Sequence, residues 1–245
     1  MIYEDDLIDR YYKERNDDSV FNYNKYIEFP NMLKLVGDVT NKKILDLGCG
    51  FGDHAKSYSD NKASSIIGLD NASKIIEIAK KRNILNSKFI LHDLNSKISL
   101  ESESFDIVVS SLTIHYVKNF ELLISEVRRL LKPNGIFIFS TGNSTYISML
   151  KNIDGFDYIM GAKKQDGKLK IYGDYFSEKM IIRTWNNGDK VELYPRTYET
   201  LVKTCLKHNF ELIDYVDAKP IEEVKDKYPE KYELTTKISS FCFFK

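Results

Sequence analysis

The sequence predicts a doubly wound α/β fold built on a mostly parallel, seven-stranded sheet. Three observations predict it. Strand-like apolar runs alternate with amphipathic stretches between residues 41 and 141, a glycine-rich loop follows the first run directly, and aspartates stand at or near the ends of three successive runs. Parallel neighbours cannot be joined by a tight turn, so each crossover needs a helix-length connection, and that is the rhythm seen here.

The elements follow in order. The first 29 residues are rich in tyrosine and charge and suit a helix laid over the domain. The first strand is Lys43-Ile44-Leu45-Asp46-Leu47, a helix-compatible stretch covers residues 53–60, and Ser65-Ile66-Ile67-Gly68-Leu69-Asp70 forms the second strand. Residues 72–82 put Ile75, Ile76, Ile78 and Ala79 on one helical face, with Asn71 or Ser73 as candidate cap. Three further strands read as Phe89-Ile90-Leu91-His92-Asp93, Phe105-Asp106-Ile107-Val108-Val109-Ser110-Ser111 and Ile136-Phe137-Ile138-Phe139-Ser140-Thr141. A helix over residues 120–131 joins the last two and stops at Lys132-Pro133-Asn134-Gly135, where proline cannot continue it.

Between residues 142 and 194 the rhythm breaks into polar stretches carrying many aromatics, which reads as an insertion. Within it, residues 180–185 and 190–194 flank Asn186-Asn187-Gly188-Asp189, the signature of a β-hairpin. A helix over residues 197–208 then precedes Phe210-Glu211-Leu212-Ile213-Asp214-Tyr215-Val216, and Ile238-Ser239-Ser240-Phe241-Cys242-Phe243-Phe244 supplies a last strand to pair with it antiparallel.

Composition narrows the function. With 245 residues, 42% of them apolar, the chain can bury one sizeable core. Lysine plus arginine equals aspartate plus glutamate at 36 each, so no global field draws it to nucleic acid or an anionic membrane. No apolar run approaches the roughly 20 residues that span a bilayer, and the acidic opening Met1-Ile2-Tyr3-Glu4-Asp5-Asp6 is unlike a signal peptide, so a cytoplasmic location is expected. A monomer or homodimer is the expected assembly, a choice that the sequence does not decide. Cys49, Cys205 and Cys242 fit neither a disulfide framework nor a paired metal site.

The chemistry concentrates in Ile44-Leu45-Asp46-Leu47-Gly48-Cys49-Gly50-Phe51-Gly52-Asp53, where glycine at every second position lets backbone approach a ligand closely. Asp70, about 20 residues beyond the loop, is placed to accept both hydroxyls of a ribose, and Asp93 to accept from an adenine amino group. Helix capping is the alternative for each aspartate. Asp46 suits capping less, because a carboxylate inside an apolar strand needs a donor partner.

Asp46-Leu47-Gly48-Cys49-Gly50-Phe51-Gly52, Ile67-Gly68-Leu69-Asp70, the strand at residues 105–111 and Leu130-Leu131-Lys132-Pro133-Asn134-Gly135 together resemble class I S-adenosylmethionine-dependent methyltransferases. Ser111-Leu112-Thr113-Ile114-His115-Tyr116-Val117 is similar to a stretch of bacterial small-molecule members of the ubiquinone and menaquinone biosynthesis type. The resemblance covers residues 24–141 and implies a Rossmann-like fold with S-adenosylmethionine as cofactor, leaving S-adenosylhomocysteine. It implies that Asp46, Gly48 and Gly50 line the methionine and ribose end, Asp70 the ribose, Asn71 and Ala72 the adenine edge, and Asp93 and Leu94 its flank. Ser110 would lie beneath the methionine moiety and His115 where cofactor and acceptor meet. Tyr11, Tyr12, Tyr23 and Tyr26 are candidates to cover the cofactor, Tyr26 first. One domain over residues 1–245 is then expected, with a helical lid at 1–29, a cofactor-binding core at 41–141, a substrate cap at 142–194 and a closing helix and strand pair at 195–245.

A methyl group on a sulfonium needs chiefly an aligned nucleophile and excluded water, so direct in-line displacement onto a small-molecule acceptor is expected. His115 is the candidate general base, with simple packing as the opposing reading. Tyr172, Tyr175, Trp185 and Arg196 are candidate acceptor contacts, joined by Tyr194 and Arg183. Ser110-Ser111-Leu112-Thr113 replaces the Asn/Asp-Pro-Pro-aromatic motif of enzymes that methylate amino groups of nucleic acids, and Thr141-Gly142-Asn143 offers no carboxylates for a divalent metal. The competing readings are a non-catalytic S-adenosylmethionine-binding protein and an NAD-dependent oxidoreductase. Dinucleotide loops place their third glycine three residues after the second, unlike Gly48, Gly50 and Gly52.

Overall fold

A computed structural model describes residues 5–15, 17, 19–149, 161–184 and 190–245. The chain enters through helix α1 (Asp5–Arg15), a π-helical turn (Asn24–Glu28) and α2 (Phe29–Val36). Then β1 (Lys43–Leu47), α3 (Asp53–Asp60), β2 (Ser65–Asp70), α4 (Ser73–Lys81) and β3 (Ser87–Leu91) alternate as the sequence predicts, and β4 (Phe105–Ser110) follows β3 without a helix between them. After the short 3-10 turn Ile114–Tyr116 come α5 (Phe120–Leu130), β5 (Leu131–Gly142) and α6 (Ser144–Met149). Two hairpins follow, β6 (Gly161–Gln165) with β7 (Lys168–Tyr172) and β8 (Ile181–Thr184) with β9 (Lys190–Leu193). The chain closes with α7 (Tyr198–Lys207), β10 (Tyr215–Asp217), α8 (Glu223–Lys227), α9 (Pro229–Lys237) and β11 (Phe241–Phe244).

The main sheet runs β10-β11-β5-β4-β1-β2-β3, with β11 antiparallel to both neighbours and the other pairings parallel. Alternation along the strands divides its core into two layers. Ile44, Ile66, Ile107, Val109, Ile138 and Phe243 pack on the face that carries Met32 of α2, Tyr58 of α3 and Ile76 of α4. Leu45, Leu47, Val108, Phe137 and Phe244 pack on the other, against Leu123, Ile124 and Val127 of α5 and Leu201 of α7. Asp46 alternates with Leu45 and Leu47, so its carboxylate is delivered to the face of α2 and α3.

Several local expectations change. Neither Asn71 nor Ser73 caps α4; Ala72 occupies the cap position without a side-chain bond, and Asp70 accepts the Ala72 N–H instead at 3.1 Å. The strand expected over residues 210–216 is confined to Tyr215–Asp217, although the Ile213 N–H still reaches the Lys245 carbonyl at 2.8 Å. The first hairpin turns on Asp166 (φ +51°) and Gly167 (φ +74°), a pair that reading the stretch as polar connection missed. The turn at residues 186–189 and Trp185 lie outside the described residues. Among the described residues, no helix is long and apolar enough to cross a membrane.

Candidate active site

The carboxyl ends of β1, β2, β4 and β5 open into a cleft of about 650 Å³, the place where open sheets expose loop backbone to ligands. A smaller cavity of about 370 Å³ between α7 and β5 holds none of the glycine-loop residues. Gly48 and Cys49 both donate their N–H groups to the Leu69 carbonyl, at 2.7 and 2.9 Å, which pins the loop to the end of β2. Gly48 has φ +74°, and a Cβ there would stand 2.1 Å from Thr113 Oγ1. Gly50 has φ +52°, and a Cβ there would meet nothing within 4 Å. Gly48 is therefore glycine for packing, whereas Gly50 keeps open space in the cleft wall.

Asp70, partly exposed on the cleft, accepts N–H groups from Gly50 and Ala72 at 3.1 Å each. Burial raises its pKa, and the bonds from Ala72, Gly50 and Asn71 hold that rise back. Asp93 accepts from the backbone and side chain of Asn95 at 2.9 Å, a turn that keeps it at the rim. Asn71, Leu94 and His92 line the same end, and His92 Nε2 is buried without a hydrogen-bond partner among the described residues.

Beneath the loop sits Asp46 with two buried neighbours that the sequence does not announce, Glu28 and His54. Asp46 is 1% exposed, and neither carboxylate oxygen has a hydrogen-bond partner among the described residues. Burial pushes its pKa up to about 7; His54 opposes the rise, while Glu28, Asp70 and Asp53 add to it. His54 Nε2 stands 3.4 Å from Glu28 Oε2, an ion-pair distance without hydrogen-bond alignment. Burial alone would lower the His54 pKa, yet Glu28 turns the net shift upward. Burial alone would raise that of Glu28, but His54, Ser111 and Ser140 bring it down. Glu28 also accepts from Ser140 Oγ at 2.8 Å, and Ser140 Oγ in turn accepts the Leu112 N–H at 2.9 Å. That chain of bonds holds Leu112 at φ +46°, a conformation leucine rarely takes.

At the opposite end, His115 Nδ1 lies 3.1 Å from Thr141 Oγ1 and its ring packs 4.4 Å from Tyr116. Burial first, then Arg183 and Arg196, pull its pKa down to about 3, so the ring is neutral. The His115 carbonyl accepts the Tyr194 N–H at 2.8 Å, which joins the end of β9 to this wall. Above the glycine loop, α1 buries Ile8 against Phe51, Ala72 and Ile75. Arg15 and Arg82 clasp Asp53 from two sides at 2.9 and 2.6 Å, fastening that helix over the loop.

Comparison with known proteins now bears on the site. The model of the methyltransferase domain family matches residues 45–139. An uncharacterized protein of Haemophilus influenzae is 30% identical over 195 residues, covering 77% of this chain and 75% of that one. The solved structure of a putative S-adenosylmethionine-dependent methyltransferase from Listeria monocytogenes superimposes with a TM-score of 0.73 at 25% identity, covering 89% and 94% of the two chains. The chain belongs to the class I S-adenosylmethionine-dependent methyltransferases. A ubiquinone biosynthesis O-methyltransferase of Pelagibacter ubique is 32% identical over 121 residues, and the match spans about half of each chain, 49% here and 50% there.

The site of this methyltransferase fits S-adenosylmethionine, its cofactor. A buried carboxylate with both oxygens unpartnered, a glycine without obstruction beside it and a half-open aspartate 20 residues further on are complementary to an ammonium group, a nucleoside and its hydroxyls. The cleft brings together Gly48, Gly50, Asp70, Asn71, Asp93, Leu94 and His115, with Asp46 behind them. Ser110 is buried with its hydroxyl on the Leu47 carbonyl at 3.3 Å, and Ala72 is buried under α1.

Other expected contacts are elsewhere in the methyltransferase. Tyr26 is buried against Phe21 and accepts from Lys227 Nζ at 3.0 Å, so it ties the π-helical turn to α8 rather than covering the cleft. Tyr12 packs edge-on against Phe51; Tyr11 and Tyr23 are the tyrosines of the four that line the cleft. Arg196 donates to the carbonyls of Ile114, Tyr194, Val117 and Lys118, bracing the wall from behind. Tyr175 accepts the Tyr198 N–H at 3.0 Å at the start of α7 and does not line the cleft. The side chain of Tyr172 lies outside the described residues. Sequence reading missed His54 and Glu28 because no spacing rule links residues 28 and 54.

Proposed function

We propose that this methyltransferase transfers a methyl group to a small-molecule acceptor by direct in-line displacement. The observation that carries the reading is the length of the cleft, which continues past the glycine loop to His115, Tyr194 and Phe241. Its volume falls within the roughly 300–1,000 Å³ of small-molecule sites. A non-catalytic binding protein would need no such continuation, and this favours an enzyme.

S-adenosylmethionine supplies, when bound, an activated methyl group on a sulfonium. The work left to the chain is to orient and enclose. Asp46 is suited to the ammonium group, Gly50 and the loop backbone to the nucleoside, Asp70 to the ribose hydroxyls, and Asn71, Asp93 and Leu94 to the adenine. Helix α1 acts as a lid, and the hairpin β8–β9 serves as part of an acceptor cap, together keeping water out. His115, neutral and tethered by Thr141, is better suited to accept a hydrogen bond from an acceptor hydroxyl or amine than to carry off its proton, because a base of such low pKa has little driving force.

The test is calorimetric titration with S-adenosylmethionine, S-adenosylhomocysteine and NADH in parallel. Tight binding of the adenosyl pair alone, weakened at least about tenfold in Asp70→Ala, is the expected result, since charge-assisted hydrogen bonds contribute about 1.5–3 kcal/mol each. Binding of NADH alone, or an unchanged Asp70→Ala variant, overturns the reading. Asp46 adds a pH signature. Its folded pKa is raised to about 7, so the free protein holds a proton there below that pH, and pairing with an ammonium expels it. Affinity is expected to climb as pH rises toward 7 and then level off. At pH 6 the binding enthalpy is expected to vary with the ionisation heat of the buffer, and buffer-independent enthalpy excludes the coupling.

A further inference from the structure

Arg183 stands apart from the other arginines of the active-site cleft. Arg15 is paired with Asp53 on one wall, and Arg196 behind another is consumed by four backbone carbonyls. Arg183 lines the cleft from β8, half-buried, and its guanidinium has no hydrogen bond or ion pair among the described residues. Strand alternation puts it on the same face as half-buried Ile181, while Ile182 between them is 56% exposed. Glu192 of β9 accepts from Tyr194 Oη at 3.1 Å.

Its position is tied to the reacting end of the cleft. Arg183 pairs with Val191 in the hairpin, whose second strand leads into Tyr194 and its bond to the His115 carbonyl. The His115 ring feels the Arg183 charge. Beyond Thr141, the partner of His115, the floor turns apolar: Gly142 pairs with Phe241, and Ile147 packs directly over Gly142. A cation facing an apolar floor across a histidine describes a ligand with two unlike ends.

We infer that Arg183 is the anchor of an acceptor subsite, and that the methyl acceptor is a small molecule carrying a carboxylate or phosphate on an apolar body. This rests on the methyltransferase reading of the cleft. The guanidinium offers parallel N–H groups that match the paired oxygens of either anion, and partial burial strengthens that match over one made in open water. The apolar body lies on Phe241 and Ile147, and the group to be methylated is directed toward His115.

The test is titration of protein loaded with S-adenosylhomocysteine against matched pairs: benzoate and benzamide, hexanoate and hexanamide, phenyl phosphate and phenol. At least one anion is expected to bind about tenfold more tightly than its neutral mate. Arg183→Met is expected to reduce that preference below about threefold, and Arg183→Lys to retain part of it. The affinity for S-adenosylhomocysteine itself stays unchanged in Arg183→Met, which reports that the variant is folded. No anion preference, no anion binding, or a preference that survives Arg183→Met overturns the proposal. Failure of S-adenosylhomocysteine to bind the unaltered protein would count against the cofactor reading instead, and the same pairs titrated without it still judge Arg183.

Discussion

Glu28→Leu is expected to destabilise the protein by about 3–5 kcal/mol, the cost of leaving one member of a buried ion pair without its partner. Glu28 is 1% exposed and His54 8%, so water cannot replace the lost contact. The pH dependence has a definite sign. The folded pKa of His54 is raised, so its contribution is complete below about pH 6.5 and fades as pH climbs through the folded value. That of Glu28 is lowered, so its contribution is complete above about pH 4.5 and fades as pH falls through its folded value. The penalty of Glu28→Leu is therefore expected to be greatest between those limits. Urea denaturation across pH measures it, and Glu28→Leu combined with His54→Leu is expected to recover much of the loss, because a buried pair exchanged whole for apolar side chains is often neutral. A single variant as stable as the parent at pH 6 would show that the pair carries no net stabilisation.

Gly48→Ala is the second large effect. Its methyl would stand 2.1 Å from Thr113 Oγ1 and 2.4 Å from Cγ2, on a residue at φ +74°. Left-handed backbone costs a non-glycine residue about 1–2 kcal/mol and overpacking about 1–3 more, so a loss of about 2–5 kcal/mol is expected, with weaker cofactor binding as the loop shifts. The two parts separate in a double variant. Thr113→Ala on the Gly48→Ala background removes the two nearest atoms of the collision, keeps Cβ of residue 113 at 2.7 Å and leaves the backbone strain, so stability is expected to return only in part. Full recovery would show that the left-handed conformation is not required, and no recovery would show that Thr113 Oγ1 and Cγ2 are not the obstacle.

The parts of this fold that could be read from sequence are those whose physics is local. Strands β1, β2, β4 and β5 stand where their apolar runs stand because burial on both faces leaves an unbroken hydrophobic signal. Asp70 was legible because its distance from the glycine loop follows from one βαβ unit. Helices α8 and α9 are short and mostly polar, and Pro229 at the start of α9 was the one available signal. Arg196 and Tyr26 were read as ligand contacts because side-chain chemistry alone does not distinguish an arginine aimed at carbonyls from one aimed at an anion. The Glu28–His54 pair exists only after the π-helical turn that leads into α2 and helix α3 have been brought to the same face of β1.

The placement of β11 governs how the molecule is assembled. It lies between β10 and β5, pairing Phe241 with Gly142, so the strand that completes the sheet is supplied from far along the chain. Until it docks, β5 has an open edge of unpaired backbone groups, and β10 has no neighbour to join. Contacts between residues so distant in sequence form slowly, since the intervening loop must close before any of them is rewarded. Gly142 and Phe241 also line the cleft, so its floor is completed by the same late event. Nascent protein therefore passes through an interval with five parallel strands formed, one sticky edge exposed and no finished binding site, which is the stage at which aggregation competes with maturation.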